Sequence, residues 1–258
     1  MLVPIEDHDR LVGLTGGDPW VRWGLARTQT PSLWHDGASG TVAVRRTQPP
    51  YGVSLVLLPG PGGLSPATVA AALHLPPPGT RAPGLTAPRS ATADVLAGVA
   101  LAGLTPPDGG AEWEWMWTTD APPAVPGEAR VERLDPADPA TRTGLTRLLA
   151  EHSPRHSASP DRPDVAGWVG VRAGDPIIAC AAWVELVPGV PLLASVAVHP
   201  GARRRGLAAA LTATITRRAL AAGAPAVTVD LYSDNDDARR LYRRLGFRRA
   251  HAFTSWRW

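Results

Sequence analysis

Three observations predict an α+β fold in two parts. The 258 residues are the length of one large domain or two smaller ones. A proline-rich stretch, Ala121–Glu128 (APPAVPGE), interrupts the chain near its middle. On both sides of it, short apolar or alternating runs trade places with runs in which apolar residues recur every three to four positions, the periods of strand and helix. Proline fixes its own φ and restricts the residue before it. The stretch 121–128 therefore reads as an extended linker between a smaller α+β domain, 1–120, and a second domain, 129–258.

In the first domain Thr41–Arg46 and Val53–Pro59 read as strands, and Pro66–His74 and Thr92–Leu104 as helices. PPPGTRAPG, 76–84, reads as a loop. Glu112–Thr118 alternates with period two, which sets Trp113, Trp115 and Trp117 on one face. Core aromatics are the favoured reading there, and an aromatic ligand platform is the alternative. His8, His35 and His74 are scattered without ligand spacing, so no metal site is expected.

The second domain is more regular. Arg130–Leu134 reads as a strand and Ala140–Glu151 as a helix, with Leu145, Leu148 and Leu149 on one side. Gly167–Arg172 and Ile177–Leu186 form a hairpin across Ala173–Pro176, whose AGDP carries turn chemistry. Leu192–Val198 is a third apolar strand. It runs through His199–Gly206 into a helix ending near Ala222, with Leu207, Leu211 and Ile215 at i, i+4, i+8. Ala226–Leu231 is a strand of buried character and Asp236–Leu245 a helix. Arg248–Trp258 closes the chain as a strand.

All 26 basic residues are arginine, as expected from a GC-rich genome, so not every arginine is functional. Their distribution is informative. Residues 1–128 hold 7 Arg against 11 acids, and residues 129–258 hold 19 Arg against 12 acids. The positive field belongs to the second half, where a polyanion, nucleotide cofactor or nucleic acid, would bind. The single cysteine, Cys180, excludes an internal disulfide and a thiolate zinc cluster. Inside an apolar strand it reads as a small core residue. No apolar run is long enough to span a membrane. The start MLVPIEDHDR lacks a basic region ahead of an apolar run, so no secretory leader and a cytoplasmic location are expected.

The chemistry concentrates in SVAVHPGARRRGLAAAL, 195–211. A buried strand ends, three arginines follow, and a helix opens at Gly206–Leu207. The first N–H groups of a helix lack intrahelical partners and point along a positive dipole, which makes an anion site. Gly206 lets a phosphate approach the backbone, and the arginines add charge-assisted hydrogen bonds. Downstream, VTVDLYSDNDDARRLYRRLGF, 227–247, sets strand, Asn-containing turn and helix in sequence.

Together these segments resemble the GNAT superfamily of acyl-CoA-dependent N-acetyltransferases. Arg203-Arg204-Arg205-Gly206-Leu207-Ala208 is similar to that family's Q/R-x-x-G-x-G/A loop. Asn235, Ala238, Leu241–Tyr242 and Leu245-Gly246-Phe247 are similar to its N-x-x-A-x-x-L-Y-x-x-x-G-F pattern. The resemblance covers about 129–258 and implies a mixed, mostly antiparallel sheet flanked by helices. It implies acetyl-CoA as co-substrate, no metal, and acetyl transfer to a primary amine by direct attack in a ternary complex. By the same resemblance, Val196, Ala197 and Val198 pair by backbone with the pantetheine arm and splay from the neighbouring strand. The N–H groups around Arg203, Arg204, Arg205, Gly206, Leu207 and Ala208 hold the pyrophosphate. Asn235 and Ala238 flank the pantetheine side, and Tyr242 is the general acid. Where some members carry a glutamate early on the cofactor strand, this chain has Leu192.

The base is therefore read from the residues. Glu185 is favoured, because a carboxylate on an otherwise apolar strand has its pKa raised toward a useful range. His199 and Glu151–His156 are alternatives. The first domain lacks both motifs and is expected to be a degenerate copy of the same fold. A non-catalytic acyl-CoA sensor is the rival function. Nucleic acid binding is disfavoured, since the arginines at 239–240, 243–244 and 248–249 fall on the solvated side of an amphipathic helix and beyond its end. No membrane partner is expected, and the sequence is compatible with a homodimer.

Overall fold

A computed structural model describes residues 1–25, 32–48, 52–75 and 84–258. The loop expected at 76–84 lies, apart from Gly84, outside these residues. The chain forms two compact units, neither of them one continuous stretch. The first comprises Met1–Trp115, Tyr232–Asp234 and Ala250–Trp258, and the second Met116–Leu231 and Asn235–Arg249.

The first unit contains β1 (Leu2–Ile5), α1 (His8–Leu14), α2 (Pro19–Trp23), β2 (Ser32–Asp36), β3 (Val42–Gln48) and β4 (Gly52–Leu58). It continues with α3 (Pro66–Leu73), β5 (Gly84–Pro88), α4 (Thr92–Leu101) and Ala111–Trp115 of β6 (Ala111–Thr118). Its sheet runs β1-β2-β3-β4-β5 and then takes in the last strand of the chain, Arg248–Arg257. Neighbours are antiparallel except β4 and β5, which are parallel in the register Leu55↔Leu85, Val56↔Thr86. A parallel pair needs a crossover, and α3 lies on it. Helices α3 and α4 meet at Gly98, where a Cβ would fall 2.4 Å from Val69 Cβ. Only glycine permits that approach. Leu55, Leu57, Val69, Leu85, Val95 and Val99 form the core between these helices and the sheet.

The second unit contains β7 (Glu132–Leu134), α5 (Pro139–His152), β8 (Val165–Arg172), β9 (Ile177–Val187) and β10 (Val190–Val198). It continues with α6 (Leu207–Ala221), β11 (Val227–Tyr232, through Leu231), α7 (Asp236–Arg244) and the first two residues of β12 (Arg248–Arg257). The sheet order is β11-β10-β9-β8-β7. All pairs are antiparallel except β10 with β11. Strand alternation divides the core into two faces. Val169, Val171, Ala179, Ala181, Val227 and Val229 pack against α6 and α7. Trp168, Cys180, Ala182, Ala194 and Ala197 pack against Leu145, Leu148 and Leu149 of α5. Each fully buried leucine contributes about 1.5–3 kcal/mol relative to leaving it in water. The sheet is thus mixed, mostly antiparallel and flanked by helices.

The proline-rich stretch is strapped to α6. Arg217 donates to the Pro122 carbonyl at 3.0 Å and the Pro123 carbonyl at 3.3 Å, and pairs with Glu128 at 3.1 Å. Glu128 also accepts the Val125 N–H at 2.8 Å. Burial works to raise the Glu128 carboxyl, but the Val125 N–H and the Arg217 guanidinium outweigh it and hold the group below its ordinary value. Among the described residues no helix is long and apolar enough to cross a membrane, and no cluster of three His, Cys, Asp or Glu could hold a metal ion.

Candidate functional site

The site is built where β10 leaves its neighbour. Registered pairing of β10 with β11 consists of Leu192↔Thr228 and Leu193↔Val229, while pairing with β9 continues through Ala197↔Cys180 and Val198↔Ala179. The β11-facing edge of residues 194–198 therefore has no registered strand partner. In the same stretch β10 bulges: Ser195 and Val196 together oppose the single residue Ala181, between the Ala194↔Ala182 and Ala197↔Cys180 pairs. A bulge resets the alternation of side chains. Ala194 and Ala197 accordingly pack on the α5 face, while Val196 and Val198 pack on the α6 and α7 face.

Beyond Val198 the chain makes a short 3₁₀ turn, Pro200–Ala202, capped by His199 Nδ1, which accepts the Gly201 N–H at 3.1 Å. Ala202 is buried and anchors the loop, while Arg203, Arg204, Arg205 and Gly206 are exposed. Arg203 folds back to donate to the Val198 carbonyl at 3.2 Å. Arg204 and Gly206 have left-handed φ values of 59° and 76°. The space beside Gly206 is open, with the Pro126 carbonyl oxygen 4.0 Å from a built Cβ. Backbone conformation rather than crowding thus favours glycine there. No side chain caps α6, so its first N–H groups are left to solvent or to an anion.

The first unit contains the same strand–loop–helix–strand order in β4, α3 and β5, but its loop is closed. Ser65 caps α3 by accepting the Thr68 N–H at 3.1 Å. The Gly62 N–H is taken by the Ser39 carbonyl at 3.1 Å and the Gly63 N–H by the Gly60 carbonyl at 2.9 Å. A Cβ on Gly60 would lie 2.3 Å from the Gly40 carbonyl carbon. In the second unit's loop the Gly201, Ala202 and Arg203 N–H groups are also turned inward, to His199 Nδ1 and to the His199 and Pro200 carbonyls; the difference lies at the helix start, which Ser65 caps in α3 and no side chain caps in α6.

On the other strand of the splay, Asn235 caps α7, its Oδ1 accepting the Ala238 N–H at 3.1 Å. Tyr242 is buried on α7, its ring 5.6 Å from that of Phe247. Burial pushes its phenol above the ordinary value. No other described residue hydrogen-bonds its hydroxyl. Tyr242 shares one apolar cluster with Leu207, and Val196, Val198, Ala238 and Leu241 pack against that cluster. The strand end, the helix start and the tyrosine thus border one apolar cluster.

Glu185 stands apart. It is exposed near the β9–β10 turn, where its carboxylate accepts the Gly189 N–H at 3.2 Å. The burial expected of it is absent, because the apolar strand stops shielding side chains at its end. It also lies about five residues along β9 from Cys180, roughly 16 Å at strand rise, and so far from the bulge. The other basic candidates form a separate group: the rings of His152 and His199 meet edge to face at 4.8 Å, and Glu151 lies 3.5 Å from His152 Nε2.

Asp230 is a second carboxylate on an apolar strand, and no sequence motif marks it. It follows Val229, the last residue of β11 registered with β10, and is exposed on an otherwise buried run. Alternation against Val229 and Leu231 sets it on the face opposite α6. The available signal was a lone carboxylate inside VTVDLY.

Cys180 is fully buried, its thiol pushed up to about 12 by desolvation. It is a core residue. Arg239 and Arg240 are paired with Asp236 and Asp237, and Arg248 lies 4.3 Å over the Trp117 ring. Trp115 is buried, and Trp113 donates from Nε1 to Ser255 Oγ at 2.9 Å.

Residues 128–247 match the family model described as acetyltransferase (GNAT) family. No curated protein matches the chain. Solved structures align with it over nearly its whole length. A Drosophila protein does so with a TM-score of 0.62 at 15% identity, covering 100% of this chain and 98% of that one. A GCN5-related N-acetyltransferase from Kribbella flavida aligns with a TM-score of 0.54 at 20% identity, covering 97% and 95%. A Novosphingobium aromaticivorans protein assigned to the GNAT acetyltransferases aligns with a TM-score of 0.51 at 22% identity, covering 95% and 94%. At such identities the likeness is one of fold, and it extends well beyond residues 128–247.

Proposed function

We propose that this protein, whose residues 128–247 match the model of the GNAT acetyltransferase family, transfers the acetyl group of acetyl-CoA to a primary amine in a ternary complex. One observation carries the reading: the bulged end of β10, unpaired on its β11-facing edge, leads through the 199–206 loop into an exposed helix start without a side-chain cap, with left-handed Arg204 and Gly206. That edge offers backbone groups to an amide-bearing arm, and the helix start offers N–H groups and arginines to a pyrophosphate. The thioester supplies an activated acyl group.

The chain's own residues do the rest. Val196–Val198 hold the arm by backbone hydrogen bonds and set the thioester carbonyl against backbone N–H groups near the bulge. Gly206, Leu207 and Ala208 hold the pyrophosphate, flanked by Arg203, Arg204 and Arg205. Asn235 and Ala238 fix the turn beside the arm. Asp230, next to the last registered β10–β11 pair, accepts the proton of the attacking amine directly or through water, the role that Glu185, near the β9–β10 turn at the other end of β10, is not placed to fill. Tyr242 donates its phenolic proton to the departing thiolate as the C–S bond breaks, and the tyrosinate regains a proton from solvent; burial raises the phenol above its ordinary value, which keeps it protonated beforehand but makes the transfer costlier. The first unit, with its loop closed on itself, takes no cofactor.

The test is calorimetric titration with CoA and acetyl-CoA, followed by thiol release across an amine panel. A ligand confined to the folded state at a hundredfold excess over its dissociation constant stabilises by about 2.7 kcal/mol. Absence of both heat and thermal stabilisation refutes the reading. Binding without turnover on any amine favours an acyl-CoA sensor.

A further inference from the structure

We propose that Ser195 is a positioning residue that ties the cofactor strand to segment 153–164, so that occupancy of the strand is transmitted to that segment. The inference rests on the cofactor reading above.

Ser195 and Arg204 are the two described non-glycine residues with positive φ, and Ser195 stands at 51° in the bulge of β10. A side-chain-bearing residue stays in that region only where its surroundings hold it. What holds Ser195 is a reciprocal pair of hydrogen bonds. Its Oγ accepts the Ala158 N–H at 2.8 Å and donates to the Ala158 carbonyl at 2.8 Å. Its own carbonyl accepts from Cys180 Sγ at 3.8 Å. Ala158 is fully buried, so one hydroxyl satisfies both of its backbone groups and does the work of a strand neighbour.

Segment 153–164 has turns but neither helix nor strand. Several of its other hydrogen bonds are local, such as His156 to Ser153 and Arg162 to Asp164. The Ser195 pair reaches 37 residues along the chain and is buried. Serine at this position therefore serves two structures at once. Its backbone makes the bulge that turns Val196 and Val198 toward α6 and α7, and its side chain seats the segment on the α5 face. A ligand that hydrogen-bonds the free edge of 196–198 rigidifies the bulge and, through one residue, the seat of Ala158.

Hydrogen exchange with free CoA as the probe tests this on the full chain. In the unaltered protein CoA is expected to slow exchange at 203–208 and, at least several-fold, at 155–160. In both Ser195→Ala and Ser195→Gly, exchange at 155–160 rises about tenfold without ligand and CoA no longer protects it, while protection at 203–208 persists. The glycine variant accepts the left-handed φ, so it separates loss of the hydroxyl from misfolding of the bulge. Unaltered protection at 155–160 in the glycine variant overturns the proposal. So does loss of protection at 203–208 in both variants, which would make Ser195 a general structural support. No protection anywhere in the unaltered protein removes the cofactor reading itself, and this inference with it.

Discussion

Gly206 separates two quantities that a single substitution usually confounds, backbone strain and ligand approach. Its φ is 76°, a region that costs an ordinary L-residue roughly 1–2 kcal/mol. The nearest atom to a built Cβ is the Pro126 carbonyl oxygen at 4.0 Å, so alanine meets no clash. Gly206→Ala should therefore lose about 1–2 kcal/mol of stability, all of it conformational. Gly206→Asn should lose less, since asparagine tolerates left-handed backbone. Both place a Cβ where a phosphate would approach the start of α6, and Gly206→Glu adds a negative charge there. A hydrogen bond to a charged group contributes about 1.5–3 kcal/mol, so losing one predicts CoA binding weakened about 10- to 100-fold, with Gly206→Glu weakest. Chemical denaturation gives the stability order and calorimetry the affinity order, and the two should not run in parallel. If Gly206→Glu binds CoA as the unaltered protein does, the phosphate is not at this helix start.

Three further outcomes are expected. Tyr242→Phe keeps the ring against Phe247 and removes only the hydroxyl; turnover should fall by about 10²-fold, the lower end of general-acid assistance because a thiolate is already a fair leaving group, with CoA affinity unchanged. Wild-type turnover would return protonation to solvent. Asp230→Asn should lower turnover by about 10²-fold and leave calorimetric CoA affinity intact, whereas Glu185→Gln should change neither; the reverse pattern would restore Glu185. Glu128→Gln should destabilise by about 0.2–1 kcal/mol near neutral pH, the range for partly exposed ion pairs. Because the folded-state carboxyl is held below its ordinary value, that contribution is present above the ordinary carboxylate range and lost as pH falls through the folded value, so the two denaturation curves should converge in acid. A constant gap across pH would detach the effect from ionisation.

How far the sequence could be read depends on what each residue's neighbours supply. The elements from Arg130 onward were legible because their apolar periods match their faces: Leu207, Leu211 and Ile215 are all buried on α6, as i, i+4, i+8 requires. In the first half β1, β2 and β5 escaped notice, since LVPI, SLWHD and GLTAP are four or five residues long and two contain proline. Helices α1 and α2, of seven and five residues, are too short for a period to show and are started by Asp7 and Asp18 caps.

At the site, the loop and α7 were legible because their chemistry is local: an uncapped glycine start, an Asn cap three residues before Ala238. Glu185 and Asp230 show the opposite case. Both are single carboxylates in apolar strands, and nothing within a few residues distinguishes them. What does is register, a non-local property: pairing of β10 with β11 ends at Leu193↔Val229, which leaves Asp230 at the opening, while the β9–β10 turn leaves Glu185 in water. The same holds for Ser195. As a letter it is a small polar residue in an apolar strand; its meaning comes from the extra residue that the bulge inserts and from Ala158, 37 positions away. Groups that bind a phosphate can be encoded in one loop. Groups that must meet across a splayed pair of strands are placed by topology, and there the chemistry becomes visible only once the sheet is assembled.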